Sequence, residues 1–541
     1  MEQQDLHKRL LLALSLSFVV LIGFSYFTPT TQISDQNKTV SSTQASATTS
    51  NNAPLVETNT ANTPTKKMPT ASISSKSPAK TQTIIAKIQA KNYVLEIDKF
   101  GRIGSAKLLK DKYRDEEENH VELFNPDEIF PLEVRFGDAT LNDEAFKTPY
   151  TADQSTVTID NTPATVTLTQ KLSTLTLTKK LTFYPDGHYD IDISSDKKAS
   201  FFLTPGHRPD ADHSRYMLVR GALVRNSDGI ITTIEDGDME KSLSIPNATI
   251  VSAFDRYDAS MFYDFTNPMS VTMSVDKEDN PLSFVQIDSS SKLHGYIGAK
   301  EWNTLEAIHP ELTNAVEFGW FTFLSKPFFK VMLWIHNYVG NWGWAIILFT
   351  LLVKLVLFPL SYKGMMSMQK LKDLAPKTKE IKEKYGKDPA KMNQQMMELY
   401  KKHGANPMGG CLPMLLQIPV FFSLYRVLLN ADEMQGAPWI GWIVNLADKD
   451  PYYILPIIMG ASMFLQQKIT PNTMTDPLQQ KIFQYFPVIM TFFFLTFPAG
   501  LVLYWVTNNI LSIAQQYYIN KAFEKYKVQM KTEHTKSVQK G

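Results

Sequence analysis

The stretch FTLLVKLVLFPL spans residues 349–360 and sets one lysine, Lys354, inside an otherwise apolar run. A run this apolar reads as part of a membrane span. A charge near the centre of a span costs about 2.5–3.5 kcal/mol on insertion scales. The lysine therefore needs a reason, and that reason bears on fold and function together.

Four more apolar segments follow it. The set is 341–360, 411–430, 452–467, 482–497 and 500–518, and a sixth apolar run, 10–27, follows His7, Lys8 and Arg9. Residues 361–410 carry eleven lysines against five acids, and the chain after 518 carries six lysines against two acids. Residues 431–451 carry four acids and one lysine. Basic loops stay on the cytoplasmic side. This predicts six membrane spans, with both termini and 361–410 cytoplasmic. No A-x-A site follows the N-terminal run, and it is long for the apolar part of a signal peptide. Those features favour an uncleaved signal-anchor over 1–27 rather than a cleaved signal peptide.

Between anchor and bundle the composition changes twice. Residues 28–82 are rich in Ser, Thr, Asn, Gln and Pro, which predicts a disordered linker. Residues 83–320 alternate β-formers with polar residues, as in TPATVTLTQKLSTLTLTKKLTFYPDGHYDIDIS at 162–194. Period-two alternation broken by Pro185-Asp186-Gly187 reads as antiparallel hairpins. NYVLEIDKFGRIGSAKLL (92–109) and PLSFVQID (281–288) read the same way. The expectation is one periplasmic β-sandwich domain, a scaffold without a catalytic cluster. The aromatic-rich segment 321–340 suits an interfacial amphipathic helix. The fold class expected is thus a multi-domain membrane protein: a six-span α-helical bundle, a periplasmic β-sandwich domain and a cytoplasmic helical hairpin.

Two spans are short. Residues 482–497 make about 24 Å of helix against a hydrocarbon core of roughly 30 Å, and 452–467 are similar. Short spans thin the bilayer locally. The last span is polar for its place. Tyr504, Asn508, Ser512 and Gln515 recur at helical spacing on one face, flanked by Trp505. Thr350 and Gln417 add polar groups from two other spans. Polar groups at this depth face one another or a wet cavity rather than lipid. Two readings then fit Lys354. It snorkels to the inner headgroups, or it points into a groove lined by the last span and attracts acidic or polar segments of a partner. None of the six spans holds an Asp or Glu, which argues against proton-relay or cation-coupled transport.

The segment 361–410 is long, charged and patterned. MMSMQKLKDLAPKTKEIKEKY and PAKMNQQMMELYKKHG read as two helices, with Asp388-Pro389 a good helix start. Met365, Met368, Met392 and Met396 offer the adaptable apolar surface of promiscuous binders, and lysines such as Lys372 suit RNA or acidic headgroups. A solvated hairpin resting on the membrane is the alternative. Residues 519–541 read as a basic cytoplasmic tail.

Enzymatic readings find little support. No H-E-x-x-H and no intramembrane carboxylate pair occur, and the single cysteine, Cys411, has no base near it in sequence. No cofactor or metal is expected. A net charge of +1 argues against a DNA-binding protein. A solute transporter or lipid flippase with a periplasmic β-domain is the competing membrane reading, but it usually needs an internal repeat, and none is visible.

The motifs NPMGGCLPMLLQIPVFFSLYRVL (406–428), DPYYILPIIMGASMFLQQK (450–468) and TDPLQQKIFQYFPVIMTFFFLTFPAGLVLYWVTNN (475–509) carry a resemblance. The chain resembles the YidC membrane protein insertases of Gram-negative bacteria over nearly its whole length. The resemblance implies a place in the bacterial inner membrane, a hydrophilic groove open to the cytoplasm and to lipid, and no covalent chemistry. It implies nascent membrane proteins, the ribosome and Sec translocon components as partners. Lys354 falls where the family usually carries an arginine, so charge is kept while the planar five-donor fork is lost. Thr350, Gln417, Tyr504 and Trp505 fall where the family lines its groove or meets substrate. The hairpin over 365–403 falls where the family faces substrate and ribosome.

Overall fold

The computed structural model describes residues 77–540 except 80, 82, 115–118, 127, 212–218, 406–411 and 471–476. The expected anchor and the linker up to residue 76 lie outside the described residues, as does Cys411.

Residues 84–299 form a β-rich domain of two sheets. The smaller sheet runs Ile103–Leu108, Tyr93–Asp98, Ile84–Ala90 and Thr156–Ile159, antiparallel except for the last pair. The larger sheet has 13 strands. The alternating stretch 162–194 supplies three of them, Ala164–Lys171, Thr176–Phe183 and His188–Ser195, paired antiparallel. Leu177, Leu181 and Phe183 point inward between outward threonines, the expected outcome of period-two patterning. Their turn uses Gly187 at φ +93°, where a Cβ would meet the Ile297 carbonyl oxygen at 2.9 Å. Both sheets contribute to one buried cluster, with Ile88 and Leu95 from the smaller and Leu181 and Ile191 from the larger.

One residue breaks the alternation. Lys179 faces inward and is fully buried. Its Nζ donates to the carbonyls of Gly101 (2.9 Å) and Leu132 (2.7 Å). Burial lowers its pKa to about 7, despite the opposing pull of Asp98 and Glu133.

Two short helices, α1 (Ala139–Ala145) and α2 (Trp302–Ile308), belong to the β-rich half. The helical half contains α3 (Thr322–Val339), α4 (Trp342–Asp373), α5 (Ala375–Tyr385), α6 (Pro389–Lys402), α7 (Leu412–Asn430), α8 (Ile454–Ile469), α9 (Pro477–Phe494) and α10 (Ala499–Lys540). Helix α3 buries Phe329, Met332 and Leu333 against α4 and α7, while Phe323 and Tyr338 are exposed. Among the described residues only α4 is long and apolar enough to cross a membrane by length and composition. Helix α8 is a shorter apolar helix of 16 residues, about 24 Å.

Helix α4 does not stop at residue 360. It continues through Pro359 to Asp373, so Met365, Met368 and Lys372 ride on its extension rather than on a separate hairpin arm. No glycine–proline stop occurs before Leu374, where Pro376 in the first turn of α5 starts a new helix. The hairpin itself is α5 against α6, with Asp388 Oδ1 capping the Lys391 N–H at 3.1 Å. Helix α10 likewise carries the last span without a break through the tail to Lys540. The two extensions are tied together: Gln369 and Gln516 both donate to Asn520 Oδ1, and Lys527 pairs with Asp373. Helices α8 and α9 approach closely at Gly460, where a Cβ would collide with Thr491.

The β-rich half meets the helical half through buried polar groups. Lys112 Nζ lies 2.6 Å from Asp432 Oδ2 and 2.9 Å from Glu301 Oε1. Tyr113 donates to the same Asp432 oxygen at 3.0 Å. Glu433 Oε1 accepts the Trp302 backbone N–H at 2.7 Å, and Arg256 Nε donates to the Leu429 carbonyl at 2.6 Å. Burial lifts the Glu433 carboxyl to about 8, helped by the charge of Asp432. Burial also pushes Glu301 up, but Lys112 and Lys110 outweigh it and hold that carboxyl at about 2. The end of α7 is therefore fixed to the β-rich domain.

Candidate functional site

The inward face of α10 is where the polar side chains gather. Helix α10 packs against α4, α7 and α8, so the groups it turns inward face those helices. From Tyr504 to Gln515 the face covers about 16 Å of helix.

Lys354 is half-buried and turned toward α10. Its Nζ donates to Ser512 Oγ at 2.8 Å. Ser512 donates in turn to the Asn508 carbonyl one turn back, at 2.7 Å. The hydroxyl thus spends its proton on the backbone and turns a lone pair to the ammonium. Among the described residues no carboxylate lies within ion-pair distance of Lys354. The lysine is held by a neutral oxygen.

Toward the other end of the face, Gln417 Nε2 from α7 donates to the Tyr504 hydroxyl at 2.8 Å. On the α8 side, Asn509 Nδ2 donates to Ser462 Oγ at 3.1 Å. Asn508 Oδ1 and Gln515 Nε2 are buried and have no hydrogen-bond partner among the described residues. Such groups carry a desolvation cost that a water or an incoming polar group would relieve.

Not every expected residue joins this strip. Thr350 is buried and bonds its own helix, donating to the Ile346 carbonyl at 2.7 Å. Trp505 packs among rings, with Phe421 at 4.7 Å and Phe494 at 4.9 Å. It sits one residue off the polar face, on the side that meets α7 and α9. Met365 and Met368 on α4 and Met392 and Met396 on α6 are half-buried, and Lys372 on α4 is exposed.

Some partners escaped the sequence reading. Ser462 sits in the small-residue run MGAS of α8, and nothing local marks it as a ligand for Asn509. Asp432 and Glu433 counted only as loop charges, yet they hold the two halves together.

The sequence is similar to known proteins over nearly its whole length. A membrane protein insertase YidC of Campylobacter jejuni is 49% identical over 520 residues, 96% of each chain. The chain belongs to the YidC family. A YidC insertase of Wolinella succinogenes is 48% identical and covers 97% of this chain and 96% of its own. One from Helicobacter pylori is 44% identical and covers 99% and 100%. The family model described as 60Kd inner membrane protein matches residues 334–527, and the YidC periplasmic domain matches 260–331. Every polar group of the α10 strip, with its partners on α4, α7 and α8, lies inside the first of these YidC matches.

Proposed function

We propose that this chain is an inner-membrane insertase and chaperone for integral membrane proteins, acting alone or with Sec translocon components. The observation that carries the reading is the Lys354–Ser512 contact. It keeps on the polar face of α10 a cation with no carboxylate partner among the described residues, the same face that carries Asn508 Oδ1 and Gln515 Nε2, both without partners among the described residues.

The mechanism is physical rather than covalent. A hydrophilic segment of a nascent chain loses hydration when it enters a bilayer, and that loss is the barrier. A strip of polar groups replaces part of the lost water. The Lys354 ammonium attracts acidic segments into the strip from the cytoplasmic side. Helix α8, about 24 Å long, shortens the remaining crossing if the bilayer adapts to it. The apolar part of the substrate then leaves along exposed apolar side chains such as Phe492 on α9 and Leu355 on α4. In this reading both termini and the α5–α6 hairpin are cytoplasmic, the β-rich domain is periplasmic, and the hairpin meets the ribosome or the emerging chain. The close full-length kinship with YidC insertases supports it, and no cofactor is required.

Site-specific photocrosslinking tests it. A photoreactive residue at Asn508 is presented with ribosome-stalled chains of a small membrane protein, with the same probe at exposed Phe492 as the lipid-side comparison. Early, short chains should crosslink at 508 and longer chains at 492. No crosslink at 508 at any chain length, with normal expression, would overturn the groove.

A further inference from the structure

The β-rich domain carries a second polar construction, far in sequence from the α10 strip. Arg102 is fully buried. Asp98 holds it by a turn in which Oδ1 accepts the Arg102 backbone N–H at 3.1 Å, while Oδ2 accepts Nε at 3.0 Å and Nη2 at 2.7 Å. Glu133 Oε2 accepts Nη1 at 3.0 Å. A guanidinium has five N–H donors. Three are thus met inside the domain. The other two are met by the end of the linker: Nη1 donates to the Pro78 carbonyl at 2.8 Å and Nη2 to the Ala79 carbonyl at 3.3 Å. One residue earlier, Ser77 Oγ donates to Glu133 Oε1 at 2.9 Å and accepts from Arg135 Nη2 at 2.8 Å. Arg135 and Glu133 are also paired with each other at 2.9 Å.

Ser77, Pro78 and Ala79, within the segment expected to be linker through residue 82, are therefore seated on the β-rich domain. The atoms that hold it are generic to peptides: two consecutive carbonyls and one hydroxyl. Pro78 suits the slot because it fixes an extended backbone and brings no N–H that would need an acceptor. Two carboxylates and two guanidiniums balance among the groups that hold the segment, and buried Lys179 nearby spends its ammonium on the Gly101 and Leu132 carbonyls. It fits a neutral, extended hydroxyl–proline segment.

We propose that Asp98, Arg102, Glu133 and Arg135 form a peptide-binding slot whose resident ligand is the chain's own Ser77-Pro78-Ala79. The slot clamps the linker to the β-rich domain at a defined point. An extended peptide of the same chemistry enters it when the linker is displaced. This is independent of the insertase reading, because it concerns binding on the β-rich domain alone.

The test uses the full chain in detergent with Cys411→Ser and Ala79→Cys, the new cysteine carrying a nitroxide. Ala79 is exposed, so the label is tolerated. The native segment should give an immobilised spectrum. Ser77→Leu removes both hydroxyl hydrogen bonds and crowds the Glu133–Arg135 pair. Loss of these bonds to ionised partners should weaken seating by about tenfold or more. The label then becomes mobile, while Ser77→Thr keeps it immobilised. A fluorescent peptide of residues 71–82 should bind the Ser77→Leu chain saturably and the native chain weakly, since its slot is filled. A label equally mobile in the native and Ser77→Leu chains, or equally immobile in both, overturns the seating. Peptide binding that is absent from both chains, or equal in both, overturns the slot.

Discussion

Reversing the charge at Lys354 is the sharpest perturbation of the groove. Lys354→Glu replaces an ammonium held by Ser512 Oγ with a carboxylate that this hydroxyl can serve only by releasing the Asn508 carbonyl. For a substrate carboxylate about 8 Å away, at an effective dielectric of about 20, attraction to the lysine amounts to about 2 kcal/mol. Reversal turns this into repulsion of similar size, a swing of about 4 kcal/mol or several hundredfold before screening. Lys354→Arg keeps the charge and should stay within a few-fold of the native chain. The assay is insertion of a small membrane protein with an acidic translocated segment into proteoliposomes, read as the protease-protected fraction. The order expected is native, then Arg, then Glu well below both, with the gap narrowing as salt rises. Equal protected fractions for Arg and Glu would refute the electrostatic argument. So would a Glu defect just as large for a substrate whose translocated segment is uncharged.

Other consequences follow from the same contacts. Tyr504→Phe strands the Gln417 amide and should cost about 1–3 kcal/mol in detergent unfolding, while adding Gln417→Leu should return much of that loss; no recovery would mean the pair is not coupled. Lys112→Met leaves Asp432, which is fully buried, without its cation and should cost about 3–5 kcal/mol, read as a lower unfolding midpoint, with Lys112→Met/Asp432→Leu recovering most of it. The Glu433 carboxyl, lifted to about 8, keeps its proton in the folded chain while the unfolded chain has lost it above about 4.5. Stability at the junction therefore falls as pH rises between those values and levels off beyond. Glu433→Gln should flatten that slope and raise the unfolding midpoint at pH 8 but not at pH 4; an unchanged pH profile would show that the buried acid does not set it.

Much was legible in the order of residues because it depends on local period. Alternation in 162–194 specifies strands with one face buried, whatever they pack on. The recurrence of Tyr504, Asn508, Ser512 and Gln515 specifies one polar helix face. Near-complete absence of charge from 341–360 makes Lys354 conspicuous. These signals need only neighbours within two turns or two strand residues, and the chain itself fixes those distances.

Packing decided the rest. Ser512 is 158 residues from Lys354, and no local pattern says that α4 and α10 touch at that level. A helix face predicts that a side chain points inward, but not what it meets. Trp505 shows the difference: one residue from the polar face, it turns to Phe421 and Phe494. The extension of α4 to Asp373 was hidden because amphipathic residues such as Met365 and Lys372 suit a hairpin arm and a helix extension equally. Asp432 with Lys112, and Arg102 with Pro78, join segments that only tertiary folding brings together. Their charges look like surface charges in sequence. Burial makes them specific, because a buried ion must have its partner at hydrogen-bond distance, and only the assembled fold supplies it.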